Sequence, residues 1–184
     1  MRNLTLRRNI TATALGVIGF LVAMYIRIPF LPGAPYLKYD PSGFVFLMSG
    51  AMLGPSAGVA SAGVKLLLNF MRTGNLPATF SDFVASAVFL LPVSAALRRR
   101  DNLWVGVTSC IVSALITTLV MIPTNVVVLY VEFGKMPGEV MAMMLPAIIP
   151  FNLLKCLFNT VLYVVIGRKL IACVRRYAMN GEVA

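Results

Sequence analysis

Residues Leu103 to Tyr130 read LWVGVTSCIVSALITTLVMIPTNVVVLY, a stretch without a single Asp, Glu, Lys or Arg. A membrane-crossing helix needs about 20 apolar residues in a row. This run meets that demand and leaves several residues over. The whole chain agrees. Of its 184 residues 59% are hydrophobic and 12% are charged, against roughly 25% charged in an ordinary soluble domain. Mean hydropathy is +0.88. A soluble core of this size still needs a polar shell. The composition therefore excludes a soluble globular domain, a disordered chain and a disulfide-stapled module. An all-α integral membrane protein remains.

Working outward, the apolar runs predict helices over roughly 10–28, 43–53, 56–72, 80–97, 103–130 and 140–173. At about 20 residues per span, that fills one membrane domain over residues 1–184 and leaves no room for a soluble catalytic domain. The first run follows Arg2, Arg7 and Arg8. It is long for a signal-peptide core, and no small-x-small cleavage site precedes the next polar segment, so a retained helix is expected. Pro29 to Gly43 is rich in Pro and Gly and cannot sustain a helix. It is long for a connection between packed helices, and long loops are often functional. The second and third runs meet at Leu53-Gly54-Pro55-Ser56, a turn signal. Pro123 predicts a kink or bend in the fifth.

The chain carries 16 Lys and Arg against 6 Asp and Glu, a net charge of +10. In a membrane protein this is first a topology signal, because basic residues stay on the cytoplasmic side. Six spans with both termini inside place Arg2, Arg7, Arg8, Arg98, Arg99, Arg100, Arg168, Lys169, Arg175 and Arg176 in the cytoplasm. Arg27, Lys38, Arg72 and Lys135 fall outside, as does the 29–43 loop. No nucleic-acid partner is needed to explain the charge. Lys65 and Lys155 are left over, inside apolar runs.

A charge near the bilayer centre costs ~2.5–3.5 kcal/mol on insertion scales, so it should face the bundle or a cavity. Asn152 lies three positions before Lys155, on the same helical face. The pair either bonds neighbouring helices or contacts a polar ligand. The ligand reading is favoured, since Pro150 also frees nearby backbone groups. Asn125 either satisfies a carbonyl freed by Pro123 or lines a pocket. Lys65 and Asn69 share a face, and Lys65 either pairs with a carboxylate or carbonyls between helices or serves a site. Asp82, beside Ser81, reads as a helix cap. Tyr36, Tyr39 and Phe44 read either as interfacial anchors or as a lid over a flat ligand. In the first run Ala12 and Gly16, then Gly19 and Ala23, repeat small residues at four-residue spacing. Such spacing serves close packing, either inside the protein or against another membrane subunit.

Cys110, Cys156 and Cys173 form no CxxC pair and are expected as buried thiols. The chain contains no His, which removes His metal ligands, His bases and Ser-His triads. No Walker A motif is present. Acid–base enzymes and proton relays thus have few candidate groups, and no metal or cofactor is implied. Uphill movement of a solute would draw its energy from a partner.

Four segments together resemble a known family. Pro29-Phe30-Leu31-Pro32-Gly33-Ala34-Pro35-Tyr36-Leu37-Lys38-Tyr39-Asp40 is followed by Leu53-Gly54-Pro55 and Gly63-Val64-Lys65. Later comes Ile149-Pro150-Phe151-Asn152-Leu153-Leu154-Lys155. They resemble the substrate-binding S components of energy-coupling factor (ECF) vitamin transporters, most of all the riboflavin-binding group. The resemblance implies a six-helix membrane protein in a prokaryotic cell membrane. Its extracellular loop after helix 1 would cover a vitamin site. Helix 1, through Ala12, Gly16, Gly19 and Ala23, would dock to a transmembrane coupling subunit driven by two cytoplasmic ABC ATPases. Asn152, Lys155 and Asn125 would contact the isoalloxazine ring. Tyr36, Leu37, Lys38, Tyr39, Asp40 and Lys65 would complete the site. Asp82 stands where the riboflavin group often shows Asn. Another vitamin, or a structural membrane protein without a ligand, are the other readings.

The chemistry suits a flavin. An isoalloxazine is flat and apolar on its faces, rimmed by carbonyls and an imide N–H. Apolar walls with a few converging donors and acceptors match it.

Overall fold

The computed structural model describes residues 2–29, 37–100 and 102–173. Tyr36, most of the proline-rich loop, and the basic tail with Arg175 and Arg176 lie outside the described residues. Helix α1 spans Arg2–Tyr25. Strands β1 (Ile28–Pro29) and β2 (Lys38–Tyr39) then pair antiparallel, Ile28 opposite Tyr39 and Pro29 opposite Lys38. Helices α2 (Ser42–Leu53), α3 (Pro55–Thr73), α4 (Leu76–Arg99) and α5 (Leu103–Phe133) follow. The last rod runs from Pro137 to Cys173. It contains α6 (Pro137–Met143), a π-helical turn Met144–Ile148, α7 (Ile149–Leu162) and a second π turn Tyr163–Gly167. Pro146 lies in the first π turn, where its missing N–H already interrupts the helical ladder.

Among the described residues, four helices are long and apolar enough to cross a membrane: Thr5–Tyr25 within α1, α4, α5 and Pro137–Cys173. The 12 residues of α2 rise only about 18 Å, short of a hydrocarbon core of about 30 Å. Large apolar side chains such as Leu115, Leu119, Val127, Leu145 and Leu157 stand exposed around the bundle. In water such a surface would aggregate, and in lipid it is the natural exterior.

The local chemistry corrects several expected boundaries. Helix α1 starts before residue 10, within the basic segment, and stops at Tyr25, after which Arg27 Nε donates to the Ala23 carbonyl at 2.7 Å. Helix α4 starts at Leu76 because Asn75 Oδ1 accepts from the Ala78 N–H at 3.0 Å, a side-chain cap. Gly74 ends α3 in the left-handed region at φ 68°, which favours a residue without a Cβ. Helix α5 continues through Pro123 to Phe133, so the proline does not divide it.

The small residues of α1 turn inward. Ala12, Gly16, Gly19 and Ala23 are all buried. A Cβ on Gly16 would come within 2.7 Å of the Ser61 carbonyl oxygen, and one on Gly19 would strike the Phe46 ring. Ser61 Oγ donates to the Ala12 carbonyl at 2.7 Å and meets Ser49 Oγ at 2.8 Å. The stripe, expected to serve either close packing or a coupling-subunit interface, here seats α1 against α2 and α3.

The core has two parts. Phe46, Leu47, Leu90, Val93, Cys110, Cys156 and Tyr163 pack in the larger, with Phe44 against it. Leu129, Val140, Met144 and Ile148 form the smaller, between α5 and the last rod. Cys110 and Cys156 are buried as expected, but Cys173 is exposed near the end of its helix.

Candidate functional site

The site is built where the C-terminal parts of α1, α3 and α5 meet the first half of α4 and the start of α7. Asp82 lies seven positions beyond the Asn75 cap, about two turns into α4. It is thus not the cap that the sequence suggested. Its Oδ2 accepts from Lys65 Nζ at 2.6 Å, and its Oδ1 accepts from Lys155 Nζ at 2.6 Å. Lys65 Nζ also reaches both Asp40 carboxylate oxygens at 3.1 Å and Ser42 Oγ at 2.6 Å. Ser42 donates its N–H to Asp40 Oδ1 at 3.0 Å, and its hydroxyl bonds the same oxygen. Lys65 Nζ further lies 5.8 Å from the Phe46 ring centroid, within range of a cation–π attraction.

The result is an alternating chain of charges, Asp40, Lys65, Asp82, Lys155. It ties the segment before α2 to α3, α4 and α7. Lys65 is 3% and Lys155 8% exposed. Such burial is tolerable only because each charge has a partner. Among the described residues, every salt bridge belongs to this chain.

Beside it lies a cavity of about 220 Å³. Leu37, Met121, Val128, Leu129, Phe133 and Phe151 supply apolar lining. Asn69, Ser81, Asn125 and Asn152 supply neutral polar groups. Asp40, Lys65, Asp82 and Lys155 line it too, with Arg27, Lys38 and Glu132 as further charges. Asn125 Nδ2 donates to the Met121 carbonyl at 2.7 Å, and Asn152 Nδ2 to the Ile148 carbonyl at 2.8 Å. Each amide is thereby held by its own helix and keeps its oxygen for the cavity. The carbonyl that Pro123 frees is that of Leu119, four residues back, so Asn125 does not serve it. Arg27 Nη2 donates to Asn69 Oδ1 at 3.4 Å, and Asn75 Nδ2 to Glu132 Oε1 at 2.5 Å.

The structure gathers Asn152, Lys155, Asn125, Leu37, Lys38, Asp40 and Lys65 around one space. Tyr39 differs. Its ring is buried against Phe158, 5.4 Å between centroids, and its hydroxyl donates to Asn159 Oδ1 at 3.4 Å. It does not line the cavity. Burial first, then the Asp40 carboxylate, pushes its phenol up to about 12, so it stays a hydrogen-bond donor. Asp82, Arg27, Glu132 and Phe151 also line the cavity, and sequence reasoning did not place them there. For Asp82 the signal was available: an acid inside an apolar run needs a partner. Among the described residues no group of three His, Cys, Asp or Glu could hold a metal. The cavity offers a small molecule apolar walls with convergent polar and charged groups.

Residues 7–167 match the family model "ECF transporter, substrate-specific component". The chain is 30% identical to the "Riboflavin transporter RibU" of Staphylococcus aureus (strain TCH60) over 178 residues, 92% of this chain and 93% of that protein. It is 27% identical to the "Riboflavin transporter FmnP" of Bacillus subtilis (strain 168) over 176 residues, 89% of this chain and 92% of that protein. It also superposes on a solved structure described as "Structure and mechanism of the S component of a bacterial ECF transporter", with a TM-score of 0.77 and 31% identity. That match covers 92% of this chain and 98% of the other. With an all-helical apolar bundle enclosing a polar-edged cavity, the chain belongs to the substrate-specific components of ECF transporters, and it is a transport protein rather than an enzyme.

Proposed function

We propose that this S component binds riboflavin with high affinity in the cavity between α3, α4, α5 and α7, for uptake across a prokaryotic cell membrane. One observation carries the reading. Asn125, Asn152 and Lys155 converge on a space walled by Met121, Val128, Leu129 and Phe151. The ammonium and amide N–H groups match the ring carbonyls, and an amide oxygen matches the imide N–H. Arg27, Lys38, Asn69 and Glu132 offer partners to ribityl hydroxyls. An unmatched polar group would cost ~1–3 kcal/mol, which rejects simple aromatics. The names of the two relatives support this ligand.

The chain acts as one membrane domain of six spans over residues 1–184, with both termini in the cytoplasm. The helix ends remote from the cavity carry Arg7, Arg8, Arg98, Arg99 and Arg100, which supports an outward-facing site. The loop over 29–43 closes over the vitamin. A transmembrane coupling subunit with two ABC ATPases then drives release to the inside. Since the small residues of α1 are buried, the coupling subunit would meet its exposed face, Ile10, Val17 and Leu21.

The protein purified from cells should be yellow, absorbing near ~450 nm as bound flavins do. Added riboflavin should raise its melting temperature. Colourless protein without a riboflavin-dependent thermal shift would refute the ligand.

A further inference from the structure

The cavity is lined by four basic and three acidic side chains, and four of these seven form one cluster of ion pairs. Arg27, Lys38 and Glu132 belong to its other segments, while Asp82 lies about 10 Å along α4 from the helix start. There one carboxylate serves two ammonium groups, Lys65 and Lys155, each at 2.6 Å. Lys65 has a second carboxylate, Asp40, at 3.1 Å. Lys155 has Asp82 as its ion-pair partner among the described residues. Two acids and two bases thus cancel, and the cancellation depends on Asp82 more than on any other member. Its side chain is also the most exposed of the chain at 25%, and it lines the cavity itself.

We infer that Asp82 is a specificity-determining residue: it neutralises Lys65 and Lys155 and so makes the cavity select neutral ligands over anionic ones. The inference rests on the flavin reading of the site and adds a charge filter to it. With Asp82 in place, an anion entering the cavity loses water and finds both ammonium groups already paired. Without Asp82, Lys155 stands uncompensated beside the ligand. At protein-like dielectric, that single charge is enough to change anion affinity tenfold or more. A purely structural role for Asp82 would weaken all ligands alike.

The test uses the full chain in detergent and two flavins that differ in one group. These are 10-hydroxyethylflavin, neutral, and 10-carboxymethylflavin, an anion with its charge held close to the ring. Affinities are read from quenching of flavin fluorescence. The unmodified protein should prefer the neutral compound by about tenfold or more. Asp82→Asn should narrow or invert that ratio by at least about tenfold, and Asp82→Glu should restore it. An unchanged ratio in Asp82→Asn, whatever its absolute affinities, overturns the inference. Should Asp82→Asn fail to fold, Asp82→Ser removes the same charge with a smaller side chain, and an unchanged ratio there overturns it equally. If the unmodified protein binds riboflavin and the ratio ignores charge, the filter alone falls. If it binds no flavin at all, the ligand reading falls and this inference with it.

Discussion

The α1–α2–α3 seam and the α3–α4–α7 cavity both break the apolar pattern of the chain, and they do so to opposite ends. In the seam, Gly16, Gly19, Ser49 and Ser61 remove side-chain volume, and the helices close on one another until no space is left. In the cavity, Asp40, Lys65, Asp82 and Lys155 place charge beside a space of about 220 Å³ that stays open. Small residues buried among apolar neighbours build close packing. Charged residues buried in the same bundle must find partners, and they mark the place where a ligand has something to recognise. The two regions share α3, whose Ser61 faces the seam and whose Lys65, one turn later, faces the cavity.

If this division holds, substitutions in the cavity cost affinity and substitutions in the seam cost stability. The sharpest case is Lys155→Ala. It removes a ligand donor and leaves Asp82 with one partner, and riboflavin affinity should fall on the order of a hundredfold, ~3 kcal/mol. Equilibrium titration of the purified variant reads this directly, and an affinity within twofold of the original breaks the comparison. Next comes Gly19→Leu, which drives a side chain into Phe46. Overpacking of this kind costs ~1–3 kcal/mol, so the melting temperature should drop while the folded fraction binds riboflavin normally. A normal melt with lost binding would move the seam into the site.

Asn152→Ala is the third. Among the described residues its amide bonds its own helix alone, so removing it should leave the melt nearly unchanged. Affinity should fall roughly tenfold for a lost ligand contact, and a stability loss without an affinity loss would return Asn152 to a packing role. Ser61→Ala is the mildest. It deletes hydrogen bonds to Ala12 and Ser49 at ~1 kcal/mol. A small thermal shift with unaltered affinity is expected in a differential melt, and any change in riboflavin titration would blur the boundary between the regions.

Much of the site was legible as residue types before it was legible as a place. Lys65 and Lys155 stood out because neither topology nor solvent explained a charge inside an apolar run. Asn69 and Asn152 followed by helical spacing. Asp82 was misread because Ser81 and Asp82 resemble a cap, while Asn75 actually begins the helix. Tyr39 was misplaced for a different reason: a two-residue ladder with Ile28 fixes which way it faces, and neighbouring residues alternate sides in a strand.

The sequence by itself determined the class of this protein. Its apolar runs, its lack of His and its basic balance are sums over residues, and such sums decide solvent, exclude chemistries and bias orientation without any knowledge of contacts. Helix starts after the first followed to within four residues, because capping and proline effects are local, while α1 begins eight residues before the apolar run. Only the tertiary structure decided which faces meet. The α1 stripe could have packed inward or outward, since four-residue spacing defines a face but not its neighbour. The pairing of Asp82 with Lys65 and Lys155 joins residues 17 and 73 positions apart. No local rule fixes such a distance, because it depends on how four helices cross in space.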